Sequence, residues 1–342
     1  MNNNLDYHED IQAKREKFKK NEKRVLIKKD AKKSKDTIYG RIIGTKGKSY
    51  FVSANINNNQ EIYECKKSGT MISSSYNLNI LAVGDFVWFK PELSSRKNIN
   101  TGTIIKVEER FSFLSRQSIN SPNEQIIVSN ADNLVIVMSV INPIYNRRLI
   151  DRYIIAAELG NLKPIICINK IDLFEDDELH YDFKVYQKLG INVFFVSALL
   201  GKGMDTFSES LKDTVSILSG PSGTGKSTVI NNLLNKEVQS VNDISMKTFK
   251  GKHTTSNIQV FQLPNGGEII DTPGIREFAL WGLDKQEVSL YFHDFDPYYE
   301  KCKYLHCSHT HEPDCEVIKA VENNLIDHQR YESYLNIYDS ID

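Results

Sequence analysis

Gly220-Pro221-Ser222-Gly223-Thr224-Gly225-Lys226-Ser227-Thr228 decides how this chain is read. The apolar run Val215-Ser216-Ile217-Leu218 precedes it, and Val229-Ile230-Asn231-Asn232-Leu233-Leu234, apolar at helical spacing, follows. Strand, glycine-rich loop and helix are predicted in succession, with G-x-x-x-x-G-K-[ST] at the junction. Backbone N–H groups converge on phosphate oxygens only where no side chain blocks the approach, hence the glycines. The helix beginning near Lys226 adds the positive end of its dipole. Lys226 can reach the β and γ phosphates, and Ser227 can offer its hydroxyl to Mg²⁺. Gly220, Pro221, Ser222, Gly223, Thr224, Gly225, Lys226, Ser227 and Thr228 are thus read as a nucleoside triphosphate site. The loop alone does not separate ATP from GTP.

The base is chosen upstream. Asn133 to Val140 is a continuous apolar run of the kind a buried parallel strand shows. Leu149 to Leu159 has helical spacing, and Lys163 to Ile168 is a second buried strand ending in Asn169-Lys170-Ile171-Asp172. A third strand, Asn192 to Val196, ends in Ser197-Ala198-Leu199. This alternation predicts a parallel sheet covered by helices. Asp172 sits at the carboxyl end of a strand, where open α/β sheets bind ligands. There it can accept hydrogen bonds from N1–H and the 2-amino group of guanine. Adenine offers no such donor pair, so a buried unpaired carboxylate penalises it. Asn169 and Lys170 are expected to brace the base and tie its loop to the phosphate loop. Ser197 and Ala198 are expected to present a backbone N–H to O6.

Downstream, Gly266-Gly267-Glu268-Ile269-Ile270-Asp271-Thr272-Pro273-Gly274 reads as a turn and strand ending in D-T-P-G. Asp271 is expected to hold Mg²⁺ through water, and the Gly274 amide to sense the γ-phosphate. Gly251-Lys252-His253-Thr254-Thr255 supplies a threonine for the metal, either Thr254 or Thr255, with Thr255 preferred. Ordinary small GTPases run phosphate loop, threonine, D-x-x-G, N-K-x-D, S-A. Here N-K-I-D and S-A-L come first and no second N-K-x-D follows Asp271, so the domain reads as circularly permuted. The D-T-P-G segment then directly precedes the C-terminal part, where a switch ordered by the γ-phosphate would act on it.

The flanks have their own chemistry. Residues 1 to about 36 are polar and basic, read either as a nucleic-acid-binding arm or as a solvated tail. From Thr37, five short strand-like runs within about 80 residues predict a small closed barrel of the oligonucleotide-binding type. Tyr39, Tyr50, Phe51 and Trp88 are candidate base-stacking aromatics, with Arg41, Lys46, Lys48, Lys66 and Lys67 for backbone contacts. Arg110 to Asn130 reads as a polar connector. Near the C-terminus, Cys302, Cys307 and Cys315 are interleaved with His306, His309 and His311, a set suited to tetrahedral Cys₃His zinc with one of the histidines. Such a closed site is structural. Cys65 and Cys167 lie in strand runs and are expected to be buried.

The permuted order, set between a small barrel and a Cys/His module, resembles the ribosome small-subunit-dependent GTPase A family of bacteria (RsgA, also called YjeQ). The resemblance spans residues of about 37 to 335, on N-K-I-D at 169–172, the phosphate loop at 220–228, G-K-H-T-T at 251–255, D-T-P-G-I-R-E-F at 271–278 and the Cys/His set. It implies GTP hydrolysis with Mg²⁺ during late maturation of the small ribosomal subunit, with the subunit and its rRNA as partners. The family's C-x₄-C-x-H-x₅-C spacing selects His309 as the fourth zinc ligand. Ile275 stands where ordinary GTPases carry a water-orienting glutamine, so intrinsic hydrolysis is expected to be slow. His253 is the candidate catalytic residue to orient that water. A GTP-gated rRNA-binding scaffold with incidental hydrolysis is the alternative.

Composition bounds the rest. The 342 residues suffice for several domains, and 40% hydrophobic with 25% charged residues is ordinary for a globular protein. No run of apolar residues long enough to span a membrane is present, and five cysteines do not make a disulfide scaffold. The expectation is a cytoplasmic monomer without membrane attachment. Its segments are expected to be a basic tail (1–36), a barrel (37–115), a permuted α/β P-loop GTPase domain (116–285) and a small α-rich zinc-binding domain (286–342).

Overall fold

The computed structural model describes residues 36–69, 81–92, 100–117, 124–174, 178–235, 258–272, 280, 282–304 and 306–341. The basic tail, His253, Thr254, Thr255, Gly274 and Ile275 lie outside the described residues.

Strands β1 (Ile38–Lys46), β2 (Ser49–Ile56), β3 (Asn59–Lys67), β4 (Phe86–Glu92) and β5 (Asn100–Val107) close into a barrel of order β1-β2-β3-β5-β4. Alternate residues turn inward, as the two-residue strand period requires. Ile42, Val52, Ala54, Tyr63, Cys65, Val87, Phe89 and Ile104 fill the interior. Phe51 is buried too, whereas Tyr39 is exposed and stacks on Phe86 at 5.8 Å. Lys46, Lys48, Lys66 and Lys67 are exposed. Arg41, read above as a nucleic-acid contact, instead pairs with Glu268 of the following domain and donates to Asn130 O at 3.4 Å.

The supposed connector is a hairpin of β6 (Phe113–Gln117) and β7 (Glu124–Ser129). Its polar outer residues hide a two-residue period on the other face, where Leu114, Ile126 and Val128 are buried. Buried Asp85 locks the barrel to this hairpin. It takes a bidentate pair from Arg110 at 2.6 and 2.7 Å and accepts from Ser129 Oγ at 2.6 Å.

Next comes a six-stranded sheet of order β10-β9-β8-β11-β13-β12. It comprises β8 (Asn133–Ser139), β9 (Lys163–Asn169), β10 (Asn192–Phe195), β11 (Val215–Ser219), β12 (Gln259–Gln262) and β13 (Glu268–Asp271). All neighbours pair parallel except β12 with β13, a hairpin turning at Gly266 and Gly267. Helices α1 (Arg147–Leu159), α2 (Glu178–Asp182), α3 (Lys184–Lys188), α4 (Met204–Ser210) and α5 (Lys226–Leu233) cover it. Every residue of β8 is buried. Leu134, Ile136 and Met138 share a core with Ile150, Tyr153 and Ile154 of α1, while Val135 and Val137 face Val229, Ile230 and Leu233 of α5. The chain therefore leaves β8 over one face and β11 over the other. The crevice between their carboxyl ends is the switch point where such sheets bind ligands.

The C-terminal part contains α6 (Asp296–Tyr299), α7 (Glu316–Glu322) and α8 (His328–Asp339). Its core of Val288, Phe292, Phe295, Val317, Val321, Tyr334 and Ile337 continues into Ile155 of α1. Arg330, buried on α8, bonds Asp151 of α1 at 2.5 Å and Asp294 at 2.7 and 2.9 Å. Tyr186 OH also donates to Asp151, at 2.9 Å. Arg147, which starts α1, reaches Asp327 at 2.7 Å. Among the described residues no helix is long and apolar enough to cross a membrane.

Candidate nucleotide and metal sites

The phosphate loop hangs between β11 and α5 at that switch point. Gly220 has φ +150°, and a Cβ there would lie 2.1 Å from Val137 O, so only glycine lets the loop leave the sheet here. Thr224 Oγ1 closes the turn on Pro221 O at 3.0 Å. Gly225, φ +86°, starts α5, whose first turn carries Lys226 and an exposed Ser227. Lys226 Nζ donates to Gly220 O at 2.6 Å and Pro221 O at 3.2 Å, which holds the ammonium over the loop. Burial lowers its pKa, against the pull of Asp271.

Asn169 connects this loop to the base side. It is buried, its Nδ2 donates to Thr224 O at 3.0 Å, and its Oδ1 accepts Ala198 N–H at 3.0 Å. A Cβ on Gly225 would lie 2.4 Å from Asn169 Nδ2, so this glycine is required by the asparagine as much as by the phosphates. Lys170, in the left-handed region at φ +65°, sends Nζ to Gly223 O at 2.7 Å and to Ile141 O at 3.2 Å. Sequence reading names Asn169 and Lys170 as braces. It misses the Ile141–Asn142 segment that Lys170 braces against, because backbone acceptors leave no residue signature. Asp172 follows in a short 3-10 turn (Ile171–Leu173), half-buried and without a hydrogen-bond partner among the described residues. Ser197 and Ala198 are buried at the end of β10. The Ala198 amide, expected above at guanine O6, is engaged by Asn169.

Asp271 ends β13 in register with Leu218 of β11, beside the phosphate loop. Its Oδ1 is buried with no hydrogen-bond partner among the described residues. Burial raises its pKa, while Lys226 and the Thr272 amide oppose the shift. A buried carboxylate oxygen without a described partner, beside the strand that leads into the phosphate loop and close enough to feel the Lys226 charge, fits a hard divalent cation.

In the C-terminal part, Cys302, Cys307, His309 and Cys315 bring four donor atoms within 4.8 Å of one another. Cys302 Sγ lies 3.8 Å from Cys315 Sγ and 3.6 Å from His309 Nδ1, and His309 Nδ1 lies 3.4 Å from Cys315 Sγ. A tetrahedron with metal–sulfur bonds of about 2.3 Å has sulfur–sulfur edges of roughly 3.8 Å, so the donors fit zinc. His306 and His311 are exposed and lie outside this group. Hydrogen bonds with Cys315 and His309 pull the Cys302 thiol well below its ordinary range. The loop is held from outside: Tyr331 OH donates to His309 O at 2.8 Å and Tyr334 OH donates to Ser308 O. Glu312 accepts the Ser308 amide at 2.6 Å and the Thr310 amide at 3.2 Å.

A phosphate loop and a base loop tied through one asparagine, with the base-loop strands preceding the phosphate loop, define a circularly permuted P-loop nucleotide-binding protein. A family model described as RsgA GTPase matches residues 107–281. The small ribosomal subunit biogenesis GTPase RsgA of Chlorobaculum parvum is 40% identical over 312 residues, covering 90% of this chain and 99% of that protein. Its counterpart in Chlorobaculum tepidum is 41% identical over 312 residues with the same coverage. Among solved structures, YjeQ from Thermotoga maritima superposes with a TM-score of 0.67 at 26% identity, over 89% of this chain and 98% of that one. YloQ, described as a circularly permuted GTPase, shares the fold with a TM-score of 0.65 at 24% identity, over 91% and 98%. The chain belongs to the RsgA GTPase family.

Proposed function

We infer that this chain hydrolyses GTP in the biogenesis of the small ribosomal subunit, as its relatives are named for doing. The observation that carries the nucleotide reading is Asn169, whose side chain joins Thr224 O of the phosphate loop to the Ala198 amide of the base loop. Phosphates and base are thereby gripped as one unit. Asp172 takes N1–H and the 2-amino group, and Lys170 fixes its loop. Gly220 to Thr228 cradle the phosphates, with the Lys226 ammonium neutralising charge that builds during phosphoryl transfer.

Ser227, Asp271 and one of Thr254 and Thr255 would hold Mg²⁺, which would supply further neutralisation of the phosphate charge. The Gly274 amide senses the γ-phosphate, and His253 orients the attacking water. Cys302, Cys307, His309 and Cys315 hold one structural Zn²⁺, which fixes the loop that α8 packs against. The exposed Lys46, Lys48, Lys66 and Lys67 of the barrel suit rRNA backbone contact, with Tyr39 as a stacking surface. The chain acts as a cytoplasmic monomer on the assembling particle.

Co-sedimentation with purified small subunits tests the partner. Binding is expected with a non-hydrolysable GTP analogue and to weaken with GDP. Equal binding to large and small subunits would overturn the assignment.

A further inference from the structure

Asn232 lies on α5, at the edge facing the loop that follows β10. Its Nδ2 donates to Ala198 O at 3.1 Å. From the other side, Asn169 Oδ1 holds the Ala198 amide at 3.0 Å. Ser197 N–H goes to Lys202 O at 2.9 Å, and Leu200 N–H goes to Ser197 Oγ at 3.2 Å. Of the amides at 197 to 200, only that of Leu199 has no partner among the described residues.

The Ala198–Leu199 peptide is trans, and in a planar trans unit the C=O and N–H point opposite ways. Drawing Ala198 O towards α5 therefore turns Leu199 N–H away from that helix. We propose that Asn232 is a positioning residue for guanine: by fixing the Ala198 carbonyl, it aims the Leu199 amide at the guanine O6. The same helix that presents its first turn to the phosphates thus sets the base loop, so a displacement of α5 reaches both ends of the nucleotide. This rests on the guanine reading above.

The test compares the dissociation constants of GDP, inosine diphosphate and 2-aminopurine riboside diphosphate for the full chain, Asn232→Ala and Asn232→Asp. The first two nucleotides carry O6 and the third lacks it. Loss of one neutral hydrogen bond is expected to weaken GDP and inosine diphosphate about 3- to 10-fold in Asn232→Ala, with the 2-aminopurine nucleotide within about twofold. Asn232→Asp keeps the size but sets a carboxylate against the carbonyl, and is expected to lose more. Equal losses for all three nucleotides, or none, would overturn the proposal. If the unmodified chain binds the 2-aminopurine nucleotide as tightly as GDP, the guanine reading itself fails. If it discriminates and Asn232→Ala discriminates equally, only the role of Asn232 fails.

Discussion

Arg330→Met tests how firmly the C-terminal part, with its Cys/His cluster, is fastened to the nucleotide domain. The Arg330 side chain is 2% exposed and serves Asp151 and Asp294, themselves 0% and 10% exposed. The fork of the guanidinium meets both carboxylates at once, and its face lies 4.6 Å from the Phe292 ring. Methionine fills much of the space but leaves two carboxylates desolvated. Breaking a buried pair from one side costs about 3–5 kcal/mol. Hydrogen exchange of the α8 amides reads this cost locally, because α8 opens when the seam opens. At about 1.4 kcal/mol per tenfold, exchange there should accelerate by roughly 10² to 10³·⁵, up to the limit set by global unfolding. Arg330→Lys should recover part of the loss, since one ammonium cannot serve both partners. The combination Asp151→Asn, Asp294→Asn, Arg330→Met should recover most of it, because no charge is left buried. Exchange in Arg330→Met within about tenfold of the unmodified chain would refute the claim that this network fastens α8 to α1.

Gly225→Ala places a methyl 2.4 Å from Asn169 Nδ2 at a φ of +86°, so both the start of α5 and the Asn169 bridge must shift. GDP affinity, measured with a fluorescent analogue, is expected to fall by roughly 100-fold or more, since several phosphate-loop hydrogen bonds fail together. His293 bonds Asp296 and Glu158 at 3.2 Å, and those bonds raise its pKa to about 10. A folded-state pKa above the unfolded value of about 6.5 means stabilisation is fully present below pH about 6.5 and is lost as pH rises through about 10. The stability difference between the unmodified chain and His293→Gln should therefore shrink between pH 6.5 and 10; with all three groups partly exposed, it should be no more than about 1 kcal/mol at the outset. Urea midpoints at the two pH values check it. Metal analysis of the purified chain should find about one zinc, and Cys315→Ser should lose it together with the α7 and α8 helical signal.

Much of the site could be read from residue types because its chemistry is local. A phosphate loop needs glycines in a short run, and Asn169 of N-K-I-D ties that loop to the one after β10, so pattern and geometry coincide there. The five barrel strands could be found as well, as short apolar and aromatic runs separated by Gly, Lys and Asn, although their inward and outward faces could not be told apart. The β6–β7 hairpin was hidden because polar residues on its outer face outnumber Leu114, Ile126 and Val128. Arg41 was misplaced for a different reason: its partner Glu268 is 227 residues away, and a basic residue on a barrel strand looks the same whether it meets RNA or a neighbouring domain. Asn232 gave no signal, since an asparagine within a helix usually faces water, and only the fold brings Ala198 O to it. The fourth donor of the Cys/His set needed either the family spacing or coordinates, because three histidines lie within six residues and only His309 turns inward, at 4% exposure.

The most direct measurement is GTP turnover with and without purified small ribosomal subunits, with ATP as the control nucleotide. The expected result is slow hydrolysis by the chain alone, stimulated by roughly two orders of magnitude or more by small subunits but not by large ones, with ATP inert. Turnover indifferent to small subunits would contradict the ribosomal assignment, and ATP hydrolysed as fast as GTP would contradict the guanine site at Asp172.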